Sequence, residues 1–365
     1  MAIENLEEKF AALTEALSGV KKVYLLGHDN PDPDSLASML ALRRLLSRHF
    51  RIRSRMLYAG EIGRPENRAM VRLLKLPLTP LDEIRWRKNN WFALVDTQPG
   101  ARNHSLPEGA GVLMVFDHHP VKRPLNSVFY HVQEDLGATS TLMLNYLQQA
   151  KLEIDWRLAT ALAYALISET QDLGREARRE DTQAYLSVLP KARLRLLSRI
   201  KYPMLSQNYF KTLDRALGNT FYYKNIIVTR LGHIESPDMV HQMADLFLRF
   251  ERRSWSLTIG WNDEWIFLSL RSSNLRAKCG RLIQKMVRGK GHAGGHDMIA
   301  GGRIDCRGMT ESEKEAVEKL VIGRFMRLVA HNKELELLSR LITEKPGLSV
   351  EEQTSLTDIG GSGHG

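Results

Sequence analysis

Cysteine is nearly absent: the chain has two in 365 residues, Cys279 and Cys306. That excludes a disulfide framework and a thiolate zinc site, and it fits a reducing compartment. Long apolar runs are absent too, and none approaches the roughly 20 residues that a bilayer-crossing helix needs. The opening MAIENLEEKFAALTEAL carries acidic residues early in an amphipathic helical pattern, so a signal peptide with a basic start and an apolar centre is not expected. There is no internal repeat of fixed period and no obvious added nucleic-acid-binding domain. These absences leave a soluble cytoplasmic protein with no membrane partner as the expectation.

What is present is an ordinary globular balance, 43% hydrophobic and 26% charged, with a formal charge of +10. The excess of base and a pI near 9.5 favour polyanionic partners such as nucleotides or nucleic acid. The length exceeds one compact core of ordinary size, so two domains are expected.

The first half alternates strand-like and helix-like segments. VYLL (23–26) precedes a helix from about Ser35 to His49, and IRSRMLY (52–58) reads as a second strand. WFALV (91–95) and VLMVF (112–116) are short continuous apolar runs, as in strands buried on both faces of a parallel sheet. Helices follow at 139–150, opened by Thr139 or Ser140 as cap, and at 156–168. The fold class is α/β, with a doubly wound, mainly parallel sheet domain followed by a smaller mixed α/β domain. The boundaries read as 1–190 for the first domain, 191–218 for a basic helical linker, 219–335 for the second domain and 336–365 for a frayed tail. Within the second domain WSLTIGW and WIFLSLR form an antiparallel hairpin. A helix at 274–288, a glycine-rich loop, a short strand near Arg303 and a helix at 311–330 follow.

Three buried strands end in similar chemistry. VYLLG runs into His28, Asp32 and Asp34; WFALV into Asp96; VLMVF into Asp117, His118 and His119. The carboxyl ends of strands in an open α/β sheet face one crevice, so these residues converge. Converging carboxylates are costly unless cations neutralise them. Imidazole and carboxylate without thiolate suit Mn²⁺, Fe²⁺, Co²⁺ or Zn²⁺, and Mg²⁺ less well. Two such ions about 3.5–4 Å apart can share an aspartate and activate a water. Each segment alone has a plainer reading, a capped helix for HDNPDPDS and a capped turn for Asp96; jointly they point to metal-assisted phosphoester hydrolysis.

FDHHP, with HDNPDPDS and LVDT before it, resembles the motifs of the DHH phosphoesterases. The fourth motif matches ALISETQDLGRE, where Glu169 stands in place of the family's aspartate and Asp172 is a fallback. LRSSN and GKGHAGGHDMIAGGRI resemble the DHH-associated domain, so the resemblance covers roughly residues 20–310. Within the superfamily the chain looks most like the nanoRNase and pAp-phosphatase branch or the short RecJ-like exonucleases. The resemblance implies one metal on His28, Asp32 and Asp96 and a second on Asp34, Asp96, His118 and Glu169. Asp96 would bridge them, with Mn²⁺ as first choice and Mg²⁺ or Co²⁺ as alternatives. It also implies that His119 contacts the scissile phosphate and that Asp117 orients a histidine or the adjacent backbone. Arg271, Ser272, Gly294, Gly295 and His296 would bind substrate, the glycines by letting backbone N–H groups approach an anion.

The expected activity is hydrolysis of short oligonucleotides, dinucleotides or pAp by attack of a metal-bound hydroxide. A RecJ-like single-strand exonuclease and a nucleotide-binding regulator with a degenerate metal centre are the alternatives, the second raised by Glu169. An inorganic pyrophosphatase would share the N-terminal motifs, but the GGH segment argues against it. A homodimer is left open.

Overall fold

The computed structural model describes residues 6–101, 103–121, 124–174, 177–295, 297–330 and 339–340. The chain divides into two compact units, Met1–Met204 and Leu205–Gly365. The division falls inside the segment read as a linker.

The first unit opens with α1 (Leu6–Ala16), β1 (Lys22–Leu26), α2 (Pro33–Arg48), β2 (Arg53–Tyr58), α3 (Pro65–Leu74) and β3 (Leu78–Pro80). It continues through β4 (Trp91–Val95), β5 (Gly111–Asp117) and β6 (Phe129–Val132) to the helices α4 (Thr139–Gln149), α5 (Trp156–Glu169), α6 (Arg179–Val188) and α7 (Leu194–Lys201). The six strands form a wholly parallel sheet in the order β3-β2-β1-β4-β5-β6. That order reverses between β1 and β4, which opens a crevice at their carboxyl ends.

Burial on both faces explains the continuous apolar strands. One face carries Leu25, Met56, Ala93, Val95 and Leu113 against α2 and α4, which in turn pack on α5. The other carries Tyr24, Leu26, Leu57, Phe92 and Leu94, covered by Leu81, Ile84 and Trp86 from the β3–β4 connection and by Leu106. Helix α2 begins with Asp32 as N-cap, its side chain accepting from the Ser35 amide, and Pro33 in the first turn. Such a cap contributes about 1 kcal/mol. Its Leu36, Met39, Leu42, Leu45 and Leu46 are fully buried, each worth about 1.5–3 kcal/mol of transfer free energy. Helix α5 is buried from Leu158 to Ile167, apolar on all sides as befits the centre of a layer.

The second unit contains α8 (Gln207–Gly218), β7 (Thr220–Tyr223), β8 (Ile226–His233), α9 (Asp238–Leu248), β9 (Trp255–Trp261) and β10 (Trp265–Ser272). It continues with α10 (Cys279–Met286), β11 (Gly291–Gly295), β12 (Ile299–Asp305), α11 (Glu311–Val329) and β13 (Ser339–Arg340). Its seven described strands are ordered β11-β12-β10-β9-β8-β7-β13. β8 and β9 pair in parallel, and β9 and β10 form the antiparallel hairpin.

The glycine-rich segment is not a loop. Gly291–Gly295 is an edge strand paired antiparallel with β12, Gly294 facing Gly301. Steric fit accounts for its composition: Gly280 of α10 lies so close that a Cβ there would strike the Gly295 carbonyl. Gly295 itself has φ +150°, and a Cβ on it would overlap the backbone of Ile299 and Ala300. The tail read as frayed lies outside the described residues, apart from 339–340. Among the described residues no helix is long and apolar enough to cross a membrane.

Candidate metal centre

The site is assembled at the carboxyl ends of β1, β4 and β5. Asp96 follows β4 directly, is 2% exposed and has φ +60°. A non-glycine residue there costs about 1–2 kcal/mol, and Asp and Asn tolerate it best. The turn points the two oxygens in different directions. His28 Nε2 lies 3.6 Å from Asp96 Oδ2, and His118 Nε2 lies 3.7 Å from Oδ1. Asp96 therefore stands between two imidazoles, one oxygen toward each.

Both imidazoles are held by their other nitrogen. His28 Nδ1 donates to the Asp29 carbonyl at 2.9 Å, and His118 Nδ1 donates to the Leu136 carbonyl at 3.1 Å. A carbonyl can only accept, so the proton sits on Nδ1 and Nε2 faces the site, the usual arrangement of a metal-ligating histidine. His118 Nε2 is buried with no hydrogen-bond partner among the described residues. Such an orphan costs about 1–3 kcal/mol unless something fills its lone pair. A divalent cation does so, and the nitrogen and carboxylate donors match one.

Asp32 serves both roles that its segment suggested. Oδ1 caps α2 through the Ser35 amide at 2.9 Å, while Oδ2 lies 3.5 Å from His28 Nε2. Among the described residues, two groups bring three ligand atoms within 4.8 Å of one another: His28, Asp32 and Asp96, and Asp96, His118 and His119. The first is the set expected for one metal. The second differs from expectation, with His119 in it and Asp34 and Glu169 outside it.

Hydrogen bonding explains the difference. Asp34 is 1% exposed, and its oxygens accept from the amides of Thr139 at 2.7 Å and Ser140 at 2.9 Å. Those are the first amides of α4, whose N-cap is Ala138 rather than Thr139 or Ser140 and brings no side-chain acceptor. Asp34 thus caps α4 from a different helix. His119 Nδ1, for its part, is engaged at 2.8 Å by Asp117 Oδ1. Its proton occupies the lone pair a metal would need, so His119 offers the site a donor or its Nε2 and not an Nδ1 ligand. Asp117, fully buried, also accepts from the amides of His118 and His119. That fixes the turn carrying both histidines.

The charges balance poorly without a cation. Burial pushes Asp96 well above the usual carboxylate range, reinforced by the charges of Asp34 and Asp32. Burial also raises Asp34, against the pull of His118. Glu169, the last residue of α5, is pushed up to about 8 by burial and by Asp32 and Asp34. Asp32 goes the other way: burial opposes its charge, but His28 beside it and the Ser35 amide hold it low. Burial likewise opposes charge on His28, which Asp32 nonetheless raises to about 9. Asp172, the fallback, is on the surface beside Lys201.

Two contributors carry no charge: Gln98, unread in the sequence, and Thr139, read there only as a helix cap. Gln98 is 6% exposed and donates to Asp117 Oδ2 at 2.9 Å and to the His119 carbonyl at 3.1 Å. Thr139 Oγ1 donates to Asp96 Oδ1 at 2.8 Å. A position two residues after Asp96 was the only available hint for Gln98.

In the second unit, Arg271 is 4% exposed, and its Nε donates to Asp245 at 2.5 Å. Ser272 Oγ donates to the Ser254 carbonyl and accepts from the Asn274 amide. Both side chains are therefore engaged in holding β10. Gly294 is exposed with open space around its Cα, while Gly295 is accounted for by packing. His296 lies outside the described residues.

The DHH family N-terminal domain matches residues 22–168, and the DHHA1 domain matches residues 223–323. The chain belongs to the DHH family. An uncharacterised protein of Methanocaldococcus jannaschii is 32% identical over 301 residues, 81% of this DHH chain and 61% of the relative. A manganese-dependent inorganic pyrophosphatase of the same organism is 27% identical over 157 residues, 40% of this chain and 48% of the relative. The chain thus spans less than two thirds of the length of either. The crystal structure of an exopolyphosphatase-related protein from Bacteroides fragilis aligns with TM-score 0.72 at 16% identity, covering 88% of this chain and 98% of that one. At that identity the likeness is one of fold.

Proposed function

We propose that this DHH protein is a metal-dependent phosphoesterase acting on short oligonucleotides, dinucleotides or pAp. The observation that carries the reading is Asp96, with one oxygen toward His28 and the other toward His118. That arrangement suits a carboxylate bridging two divalent cations, with Mn²⁺ as first choice.

When bound, the cations supply Lewis-acid charge and lower the pKa of a coordinated water. His28, Asp32 and Asp96 would hold one, and Asp96 and His118 the other. His119 keeps its Nδ1 proton on Asp117 and so presents Nε2 toward a phosphoryl oxygen, where a charged imidazole stabilises developing negative charge. Burial opposes that charge, yet the Asp117 hydrogen bond raises the His119 pKa. Gln98 steadies Asp117 in turn.

One observation favours a second reading, a nucleotide-binding regulator. Asp34 is engaged by α4, and Glu169 is raised to about 8, which would leave a second metal short of ligands. A panel of dinucleotides, oligonucleotides, pAp and pyrophosphate with Mn²⁺, Mg²⁺ and Co²⁺, run beside Asp96→Asn, separates the two. Metal-dependent turnover that vanishes in the variant supports the enzyme. Tight nucleotide binding without turnover of any substrate supports the regulator.

A further inference from the structure

The edge of the first sheet opposite the metal centre is built from base. β1 opens with Lys22 after Lys21, and β2 holds Arg53 and Arg55 after Arg51. The β3–β4 connection brings Arg85, Arg87 and Lys88, all exposed, to the start of β4 at the half-exposed Trp91. In a parallel sheet all amino ends lie on one edge. β2, β1 and β4 are consecutive neighbours there, about 4.8 Å apart. Register confirms the adjacency, with Lys22 facing Arg53 and Val23 facing Trp91.

A cavity of about 580 Å³ is set into this edge, lined by Lys22, Arg43, Ser47, Arg51, Arg53 and Arg55 among others, with no carboxylate in its wall. Among the described residues none of its four arginines forms an ion pair. β3 pairs with β2 only from Met56 onward, so no described strand covers the outer side of Arg53–Arg55. Through Arg43 and Ser47 the cavity adjoins a second depression of about 230 Å³ that includes Lys75 and Arg157. There the only acid is Asp155, paired with Arg44. Asp82 and Glu83, the acids of the β3–β4 connection, lie at its far end beside β3.

A charged edge commonly only deters strand-to-strand aggregation. Deterrence does not require a concave surface, nor unpaired arginines from a helix and a strand converging on it. The two adjoining depressions extend beyond one phosphate, and their convergent cations suit the backbone of a flexible strand. The half-exposed Trp91 lies outside both depressions, farther along the edge beside Gly111, where a nucleobase could stack. We propose that this amino edge is an exosite for the phosphodiester backbone of single-stranded nucleic acid, separate from the metal centre. It would hold the body of a strand away from the site of hydrolysis, and its binding needs no metal.

The test is fluorescence anisotropy of a labelled oligouridine strand with the full chain in chelator, across a salt series. The triple variant Arg43→Gln/Arg53→Gln/Arg55→Gln is compared with a control, Arg195→Gln/Lys211→Gln/Lys319→Gln, which removes equal charge from exposed positions on other helices. Single strands release about 0.7 counterion per neutralised phosphate, so the exosite variant should lower the log–log salt slope by about 2 and weaken binding about tenfold or more. The control should change neither appreciably. Dinucleotide turnover with Mn²⁺ should be the same in all three, and circular dichroism should show all three folded. No strand binding by the parent, or equal weakening by both variants, overturns the proposal. So does displacement of the strand by equimolar tripolyphosphate, which would make the cavity a small-anion site. Because the binding arm contains no metal, it stands or falls apart from the hydrolase reading.

Discussion

Thr139 Oγ1 donates to Asp96 Oδ1 at 2.8 Å, while its backbone amide donates to Asp34 Oδ2 at 2.7 Å. One residue at the start of α4 thus ties the carboxylate between the two histidines to the aspartate that caps the helix. Thr139→Val keeps the shape and the amide bond but removes the hydroxyl donor. A hydrogen bond to a charged group is worth about 1.5–3 kcal/mol, so turnover should fall about tenfold or more with α4 still in place. Unchanged kcat/KM in Thr139→Val would show that the hydroxyl does not position Asp96.

Asp96→Asn should abolish activity and weaken Mn²⁺ binding by isothermal titration, with little loss of Tm. Asp96→Ala should lose activity equally and about 1–2 kcal/mol of stability besides, because alanine lacks asparagine's tolerance of the left-handed region. Equal urea midpoints for the two variants would contradict the backbone argument.

Asp117→Asn places an amide where the Gln98 amide already donates, so His119 should lose its fixed orientation. Outer partners of this kind typically cost about 10–100-fold in activity or metal affinity. We expect the loss in kcat, with Mn²⁺ affinity little changed and the pH profile altered in its His119 limb. A fall in Mn²⁺ affinity alone would instead make Asp117 a support for His118.

The metal-free protein should lose stability as pH rises. Glu169 in the fold, raised to about 8, holds a proton that the unfolded chain releases near 4.5. The folded state binds more protons in that interval, so unfolding free energy falls with rising pH. His28, raised from 6.5 to about 9, has the same sign over its own interval. Thermal melts in chelator should therefore show Tm dropping between about pH 5 and 9, and Glu169→Gln should flatten the lower part of the drop. Saturating Mn²⁺ should reverse the trend, because the ligands must deprotonate to bind.

Gly280→Ala should destabilise the second unit by about 1–3 kcal/mol, the usual range for overpacking. The obstruction is backbone, the Gly295 carbonyl, and has no rotamer to move aside. A urea midpoint equal to the parent's would show that α10 and β11 can separate freely.

How much of this was readable in the sequence varies with the kind of signal. β1, β4 and β5 stand out because burial on both faces leaves unbroken apolar runs, and the residues that follow them do converge. β3, with three residues, and β6, FYHV with an exposed tyrosine, are too short or too polar to register. GHAGG looks like a loop because glycine usually marks turns, whereas here small size is what lets α10 lie against the strand. Asp34 and Arg271 are charged residues at motif positions, and spacing cannot reveal that their partners are the amides of α4 and Asp245. Gln98 and Thr139 act through uncharged donors, which no pattern of charge or hydrophobicity marks.

The left-handed backbone at Asp96 limits what substitution can explore at this corner. Glycine, asparagine and aspartate are the residues that accept such a turn readily. Of those three only aspartate carries a full negative charge. Other residue types take the same conformation elsewhere in the chain, Arg51, Lys75 and Leu173 among them, so the backbone favours glycine, asparagine and aspartate rather than requiring them. A position that turns one carboxylate oxygen toward each of two imidazoles favours the charged one.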